Sequence, residues 1–197
     1  DLRDKVDKTN DHFGKYTCYR SLGDIYRVRN NRSQSCQWYI KALELYKKYN
    51  IKHDPTMSIL RIVMQKRQSY DYEEARKYIE EARKIPSISR YKYLTNIEEA
   101  FLAFETNDTL NFNRLYALAI KQKEKYGYRY PDKEAMLEVM HLTYAGREAD
   151  AVALAKERLT EFNYKHLATC ILKNEKKWDL AAATFLEERK QYVKEQA

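Results

Sequence analysis

Bulky and small side chains interleave along the chain in the rhythm of packed helices. Between Tyr19 and Ala42 the order is Tyr19, Leu22, Gly23, Tyr26, then Ser35, Tyr39 and Ala42. Two antiparallel helices come close only where small residues sit at their crossing. Gly23, Ser35 and Ala42 therefore mark a crossing, and Tyr19, Leu22, Tyr26 and Tyr39 fill the space beside it. Farther on, Tyr93, Ile97, Phe101 and Phe104 return at intervals of three to four residues and share one helical face.

The polar punctuation between these stretches divides the chain. Residues 1–10 are charged, with only Leu2 and Val6 apolar, and read as a lead-in or the end of a preceding helix. A first helix from Asp11 to about Arg29 turns at Asn30-Asn31, and Ser33 caps a second helix that runs to about Tyr49. Asp54-Pro55 pairs an N-cap with a proline at the first helical position and restarts the chain at Thr56. Proline disfavours helix in the residue before it, so the next pair stops ahead of Pro86, and Ser87 or Ser89 caps the helix that follows. Asp108 or Thr109 caps the helix of Phe112, Leu115, Leu118 and Ala119, which Gly127 ends in left-handed geometry. Pro131-Asp132 opens another helix, closed by Gly146, and its partner carries Ala151, Leu154, Ala155 and Leu159. A last pair covers Tyr164 to Leu172 and Trp178 to about Val193. The boundaries predict an all-α chain of helical hairpins at about 11–50, 54–85, 87–127, 131–161 and 163–195.

The small-residue signal recurs. Ser35 is answered by Ala75, Leu115, Ala151 and Ala181, at intervals of 40, 40, 36 and 30 residues, with Ile79 and Ala82, Ala119, Ala155 and Phe185 as companions. This pattern resembles the tetratricopeptide repeat. That repeat places an aromatic residue, Leu-Gly and Tyr on a first helix and a spaced Ala, Phe and Ala on a second, about every 34 residues. The resemblance implies a right-handed superhelical array of about five hairpins over residues 11–197, with the first helices lining a concave groove. The long early intervals imply longer helices or joints in the first pairs.

Composition narrows the partners. Glycine and proline are scarce, which favours helix throughout. A net charge of +8 fits an acidic or nucleic-acid partner. It also fits an ordinary solvated surface, because basic residues interleave with acidic ones, as in Glu73-Glu74-Ala75-Arg76-Lys77. Cys18, Cys36 and Cys170 are odd in number and lack a short metal-ligand spacing, so they read as reduced thiols of a cytoplasmic protein. No apolar run approaches the length of about 20 residues that spans a bilayer, and no signal peptide opens the chain, so no membrane partner is expected. The chain begins at Asp1 without methionine, so it reads as a piece of a longer protein, and a preceding N-terminal domain is to be considered.

No catalytic constellation emerges. His12, His53, His141 and His166 are widely spread, no His-Glu-x-x-His spacing occurs, and the few glycines cannot build a phosphate loop or a dinucleotide fingerprint. Neither an enzyme nor a bound metal or cofactor is expected. What remains is binding. The resemblance assigns the concave wall to Arg20, Asp24 and Arg27 in the first hairpin and to Leu60, Met64, Arg67 and Gln68 in the second. It adds Ala100, Phe104 and Asn107, then Met136, Met140 and Tyr144, then His166, Lys173 and Asn174. Such a wall suits a short peptide held by Asn and Arg with its side chains in apolar pockets. Met64, Met136 and Met140 read equally well as core filler. The family's clamp for acidic peptide C-termini wants Asn where this chain has Asp24.

The long intervals and the Tyr/Lys/Asn-rich texture are similar to the repeat domains of bacterial and phage cytosolic receptors for signalling peptides. That similarity implies the sensing part of a regulator, one joined to a DNA-binding or phosphatase-inhibiting N-terminal module. Transcription regulation and a homodimer are compatible with it, and nucleic acid would be contacted only through a domain outside this chain. Two readings stand beside it: a structural scaffold for protein assembly, and a helical repeat that binds nucleic acid through its basic surface.

Overall fold

The computed structural model describes residues 10–29, 31–177, 180, 183–187 and 190, and among them the only regular element is the α-helix. The helices are α1 (His12–Val28), α2 (Arg32–Tyr49), α3 (Thr56–Gln68), α4 (Tyr72–Lys84), α5 (Ser89–Glu105), α6 (Thr109–Tyr126), α7 (Pro131–Tyr144), α8 (Glu148–Arg158) and α9 (Glu161–Asn174). The charged lead-in at 1–9 and the predicted markers Asn30, Trp178, Ala181 and Val193 lie outside the described residues. The described residues form two compact units, one up to Tyr91 and the other from Lys92 onward.

Local chemistry starts the helices. Asp11 caps α1 by accepting from Gly14 N at 2.8 Å, and Asp108 caps α6 by accepting from Asn111 N at 3.1 Å. Each such cap contributes about 1 kcal/mol. The cap of α2 is Asn31, which accepts from Gln34 N at 3.1 Å, and not Ser33, which lies one residue inside the helix. Thr160 caps α9, and Pro131 opens α7 at its first position. Ser87 is diverted from capping. Its hydroxyl donates to Asp54 Oδ1 at 3.2 Å and shares a short hydrogen bond with Thr56, so it ties the end of one hairpin to the start of α3. In α4 the acidic Glu73 and Glu74 begin the helix and Arg83 and Lys84 end it, complementing the helix dipole.

One turn recurs. After α3, α5, α7 and α9, the second residue past the helix adopts left-handed geometry: Tyr70 (φ 63°), Asn107 (59°), Gly146 (72°) and Lys176 (60°). Its amide donates to the carbonyl three residues back, and the next amide donates five back, as in Asn107 N to Phe104 O at 3.0 Å and Asp108 N to Ala103 O at 2.8 Å. This paired pattern satisfies the carbonyls that a helix end leaves open and reverses the chain. Gly127 (φ 65°) and Asn50 (φ 44°) end α6 and α2 in the same region.

In the first unit α1 packs on α2, α2 on α3 and α3 on α4. Gly23 is the point of closest approach: the Ser35 hydroxyl donates to its carbonyl at 2.8 Å, and the Tyr39 ring lies across it. Ala42, Ala75, Ile59, Ile62 and Val63 are fully buried. The core of the second unit joins Tyr93, Ile97, Phe101 and Phe104 of α5 to Phe112, Leu115 and Ala119 of α6. Met136 and Met140 of α7, Ala151 and Ala155 of α8 and Leu167 of α9 complete it. Burying each large apolar side chain of this set is worth roughly 1.5–3 kcal/mol.

A Cβ on Gly23 would lie 2.7 Å from the Tyr39 ring, so G23V should lower unfolding free energy by about 1–3 kcal/mol in urea titration. At the recurring turn, G146A should lose about 1 kcal/mol and K176G gain about 1 kcal/mol, because an L side chain in left-handed geometry costs roughly 1–2 kcal/mol. Thermal melts of the two variants should move in opposite directions.

Candidate functional site

The residues assigned to a concave wall divide by burial. In the first unit, Arg20 contacts His53 through Nη1 and Nε2 at 3.0 Å, Asp24 accepts from the Tyr39 hydroxyl at 2.7 Å, and Arg27 lies 3.7 Å from Asp24. Arg20, Arg27 and Met64 are half-buried and Asp24 is exposed, so all four reach the surface. Arg67 does not. It is 1% exposed and is the largest fully buried side chain of the described residues, so it belongs to the interior and not to an open wall.

In the second unit, Phe104 (1% exposed) and Met140 (0%) are core residues and have no surface to offer a guest. Phe104 packs its ring 4.8 Å from Tyr144 and 5.8 Å from Phe112. Ala100, Met136 and His166 are buried as well. Helical spacing put these residues on the inward face of their helices, and the inward face is filled by the chain itself.

What the structure does bring together is the C-terminal end of α5. Asn174 Nδ2 donates to Phe104 O at 3.0 Å, Lys173 Nζ donates to Glu105 O at 2.8 Å, and the Tyr144 hydroxyl lies 3.4 Å from both Phe104 O and Asn107 Oδ1. A helix C-terminus carries a partial negative charge, and a lysine ammonium there is favourable. Below these groups, His166 Nε2 lies 2.9 Å from Glu105 Oε1, and Cys170 Sγ lies 3.9 Å from the same nitrogen. His166 and Cys170 are one turn apart on α9 and share a face. Burial alone would push the His166 pKa down, but the facing Cys170 sulphur and Glu105 carboxylate outweigh it and hold the value well above the ordinary one. Sequence reading placed Asn107, Tyr144, His166, Lys173 and Asn174 on first helices. It missed Glu105, which reads there only as a polar helix end.

A pocket of about 410 Å³ opens elsewhere in this unit. Ala119, Ile120, Ala135, Leu137 and Leu154 form its apolar wall, and Tyr93, Tyr116, Lys123, Arg129, Glu134, Glu138 and Arg158 supply polar groups. The Tyr116 hydroxyl donates to Glu138 at 2.8 Å, and its ring stacks on His141 at 4.1 Å. Burial and the Glu138 carboxylate raise the Tyr116 pKa to about 12, so this phenol stays a donor. Burial and Glu134 likewise raise Tyr93 to about 12. Burial of Glu134 is outweighed by its hydrogen bonds from Lys123 Nζ at 2.8 Å and Tyr130 N at 2.9 Å, which hold it ionised below the usual range. Arg129 and Arg158 are exposed at the rim. Of the residues around this pocket the repeat pattern singled out Ala119, and Tyr93, Pro131 and Leu154 were read as helix-face or helix-start positions; the remaining polar groups carried no signal, because that pattern directs attention to first helices.

The buried pair gives a pH prediction. A histidine whose folded pKa is raised contributes stability that is fully present below its unfolded value near 6.5 and is lost as pH rises through the folded value. E105Q should therefore destabilise the protein more at pH about 6 than at pH about 9, where His166 has less charge to stabilise. Paired urea titrations at the two pH values measure this difference, and an equal loss at both would contradict it.

No family model matches the chain, and no curated protein or solved structure matches it either. No described helix is long and apolar enough to cross a membrane.

Proposed function

We propose that the chain is a tetratricopeptide-like array that binds a short peptide, the sensing or regulatory part of a cytosolic bacterial or phage regulator, and acts without catalysis. The observation that carries the reading is the pocket of about 410 Å³ in the second unit. Its volume lies within the roughly 300–1,000 Å³ range of ligand sites, and it pairs an apolar wall with a few convergent polar groups. An apolar or aromatic anchor side chain suits the wall of Ile120, Leu137 and Leu154. A peptide carboxylate suits Arg129 and Arg158, which can grip it in bidentate fashion.

The recurring left-handed turn supports the repeat reading, since it joins successive helices in the same way after α3, α5, α7 and α9. Within the first unit, the repeat reading offers the half-buried and exposed residues Arg20, Asp24, Arg27 and Met64 as contacts of their own. Binding across several hairpins then alters curvature, because small rotations between neighbours add along the array.

Isothermal titration with synthetic peptides of five to ten residues, bearing an apolar anchor and a free carboxylate, tests this. R129A and I120E should each weaken a bound peptide by about tenfold, the loss expected of a contributing contact. Unchanged affinity in both variants, or no binding by any peptide of the set, overturns the reading.

A further inference from the structure

The Glu105, His166 and Cys170 side chains form a three-ligand cluster that their separation in sequence conceals. We propose that this cluster binds a divalent transition-metal ion of the zinc class and thereby staples α9 to the end of α5. The donor set is one carboxylate oxygen, one imidazole nitrogen and one sulphur, the ligand types that zinc takes. Glu105 Oε1 lies 2.9 Å and Cys170 Sγ 3.9 Å from His166 Nε2, and the three atoms all fall within 4.8 Å of one another. Ligands held at about 2.0–2.3 Å around a tetrahedral ion stand roughly 3.3–3.8 Å apart, so seating an ion requires shifts of about 1 Å or less.

The direction of the contacts separates this cluster from a proton relay. In a nucleophile, histidine and carboxylate triad, the outer groups address opposite ring nitrogens. Here both face Nε2. A proton on that nitrogen serves one acceptor at a time, whereas an ion in its place binds all three groups together.

Charge is conserved. The residues are buried, with Glu105 and Cys170 at 0% and His166 at 1% exposure, so a net charge here would be costly. With imidazolium, carboxylate and thiol the cluster sums to zero. With a divalent ion, neutral imidazole, carboxylate and thiolate it also sums to zero. Binding releases one proton from Nε2 and one from Sγ to solvent, and no electron is transferred. Three protein ligands leave the fourth position of a tetrahedral ion to water or to the second Glu105 oxygen.

The test uses the full chain, stripped with a chelator and titrated with Co²⁺, with Zn²⁺ then added to displace it. Expected are a thiolate-to-cobalt charge-transfer absorption that saturates at a single ion per chain, bleaching by Zn²⁺, and a higher melting temperature with either ion. C170S should abolish the band, and H166Q should weaken affinity by more than the roughly 100-fold that loss of outer-shell groups reaches. The double variant C18S/C36S should keep the band, and circular dichroism checks that each variant folds. No band in the unaltered chain, a band that survives C170S, or one that is lost in C18S/C36S overturns the proposal.

Discussion

Each of α3, α5, α7 and α9 must be stopped and its last carbonyls satisfied before the chain can reverse. The left-handed residue and its two amide donations at Tyr70, Asn107, Gly146 and Lys176 meet both needs in one step. The turn has the same geometry each time and reverses the chain without a long loop. The chemistry at these positions is uneven. Glycine adopts the geometry freely and asparagine tolerates it, whereas tyrosine and lysine hold it at a cost.

The end of α5 shows what such a turn makes available. With the chain reversed at Asn107, the Phe104 and Glu105 carbonyls face α7 and α9, and Tyr144, Lys173 and Asn174 converge on them. Glu105 points its carboxylate into the interior toward His166. Removing either partner of such a buried pair leaves an uncompensated charge, a loss of roughly 3–5 kcal/mol, so the two side chains constrain each other's presence. The same interior that makes the pair rigid also makes its three donor atoms a preorganised cluster, since neither α5 nor α9 can withdraw without exposing a polar group or a cavity.

Surface chemistry lies elsewhere. Ala100 and Phe104 of α5 and Met136 and Met140 of α7, expected to meet a guest, are closed off by packing, and a concavity of the second unit falls among α5, α6, α7 and α8, where Tyr116 and Glu138 hold each other beside an apolar wall. In the first unit the charged residues of α1 remain at the surface but already engage one another and the rings beside them. Binding there would exchange existing contacts for new ones, which favours selectivity over raw affinity.

The sequence by itself determined the helical class and most of the helix ends, because those depend on neighbours three or four residues away: Asp11, Asp108, Pro131, Gly127 and Gly146 act on the turn they belong to. It also disclosed the crossing at Gly23, where a missing side chain can serve only close packing. It misplaced the cap at Ser33, since Asn31 offers the same chemistry two residues earlier, and it could not foresee that Ser87 would be taken up by Asp54. The tertiary structure alone decided that Arg67, Phe104 and Met140 are interior, that Glu105 meets His166 across 61 residues, and that a pocket opens beside Tyr116. Helical periodicity states which residues share a face. What covers that face depends on the helices that later fold against it, and no local spacing encodes them.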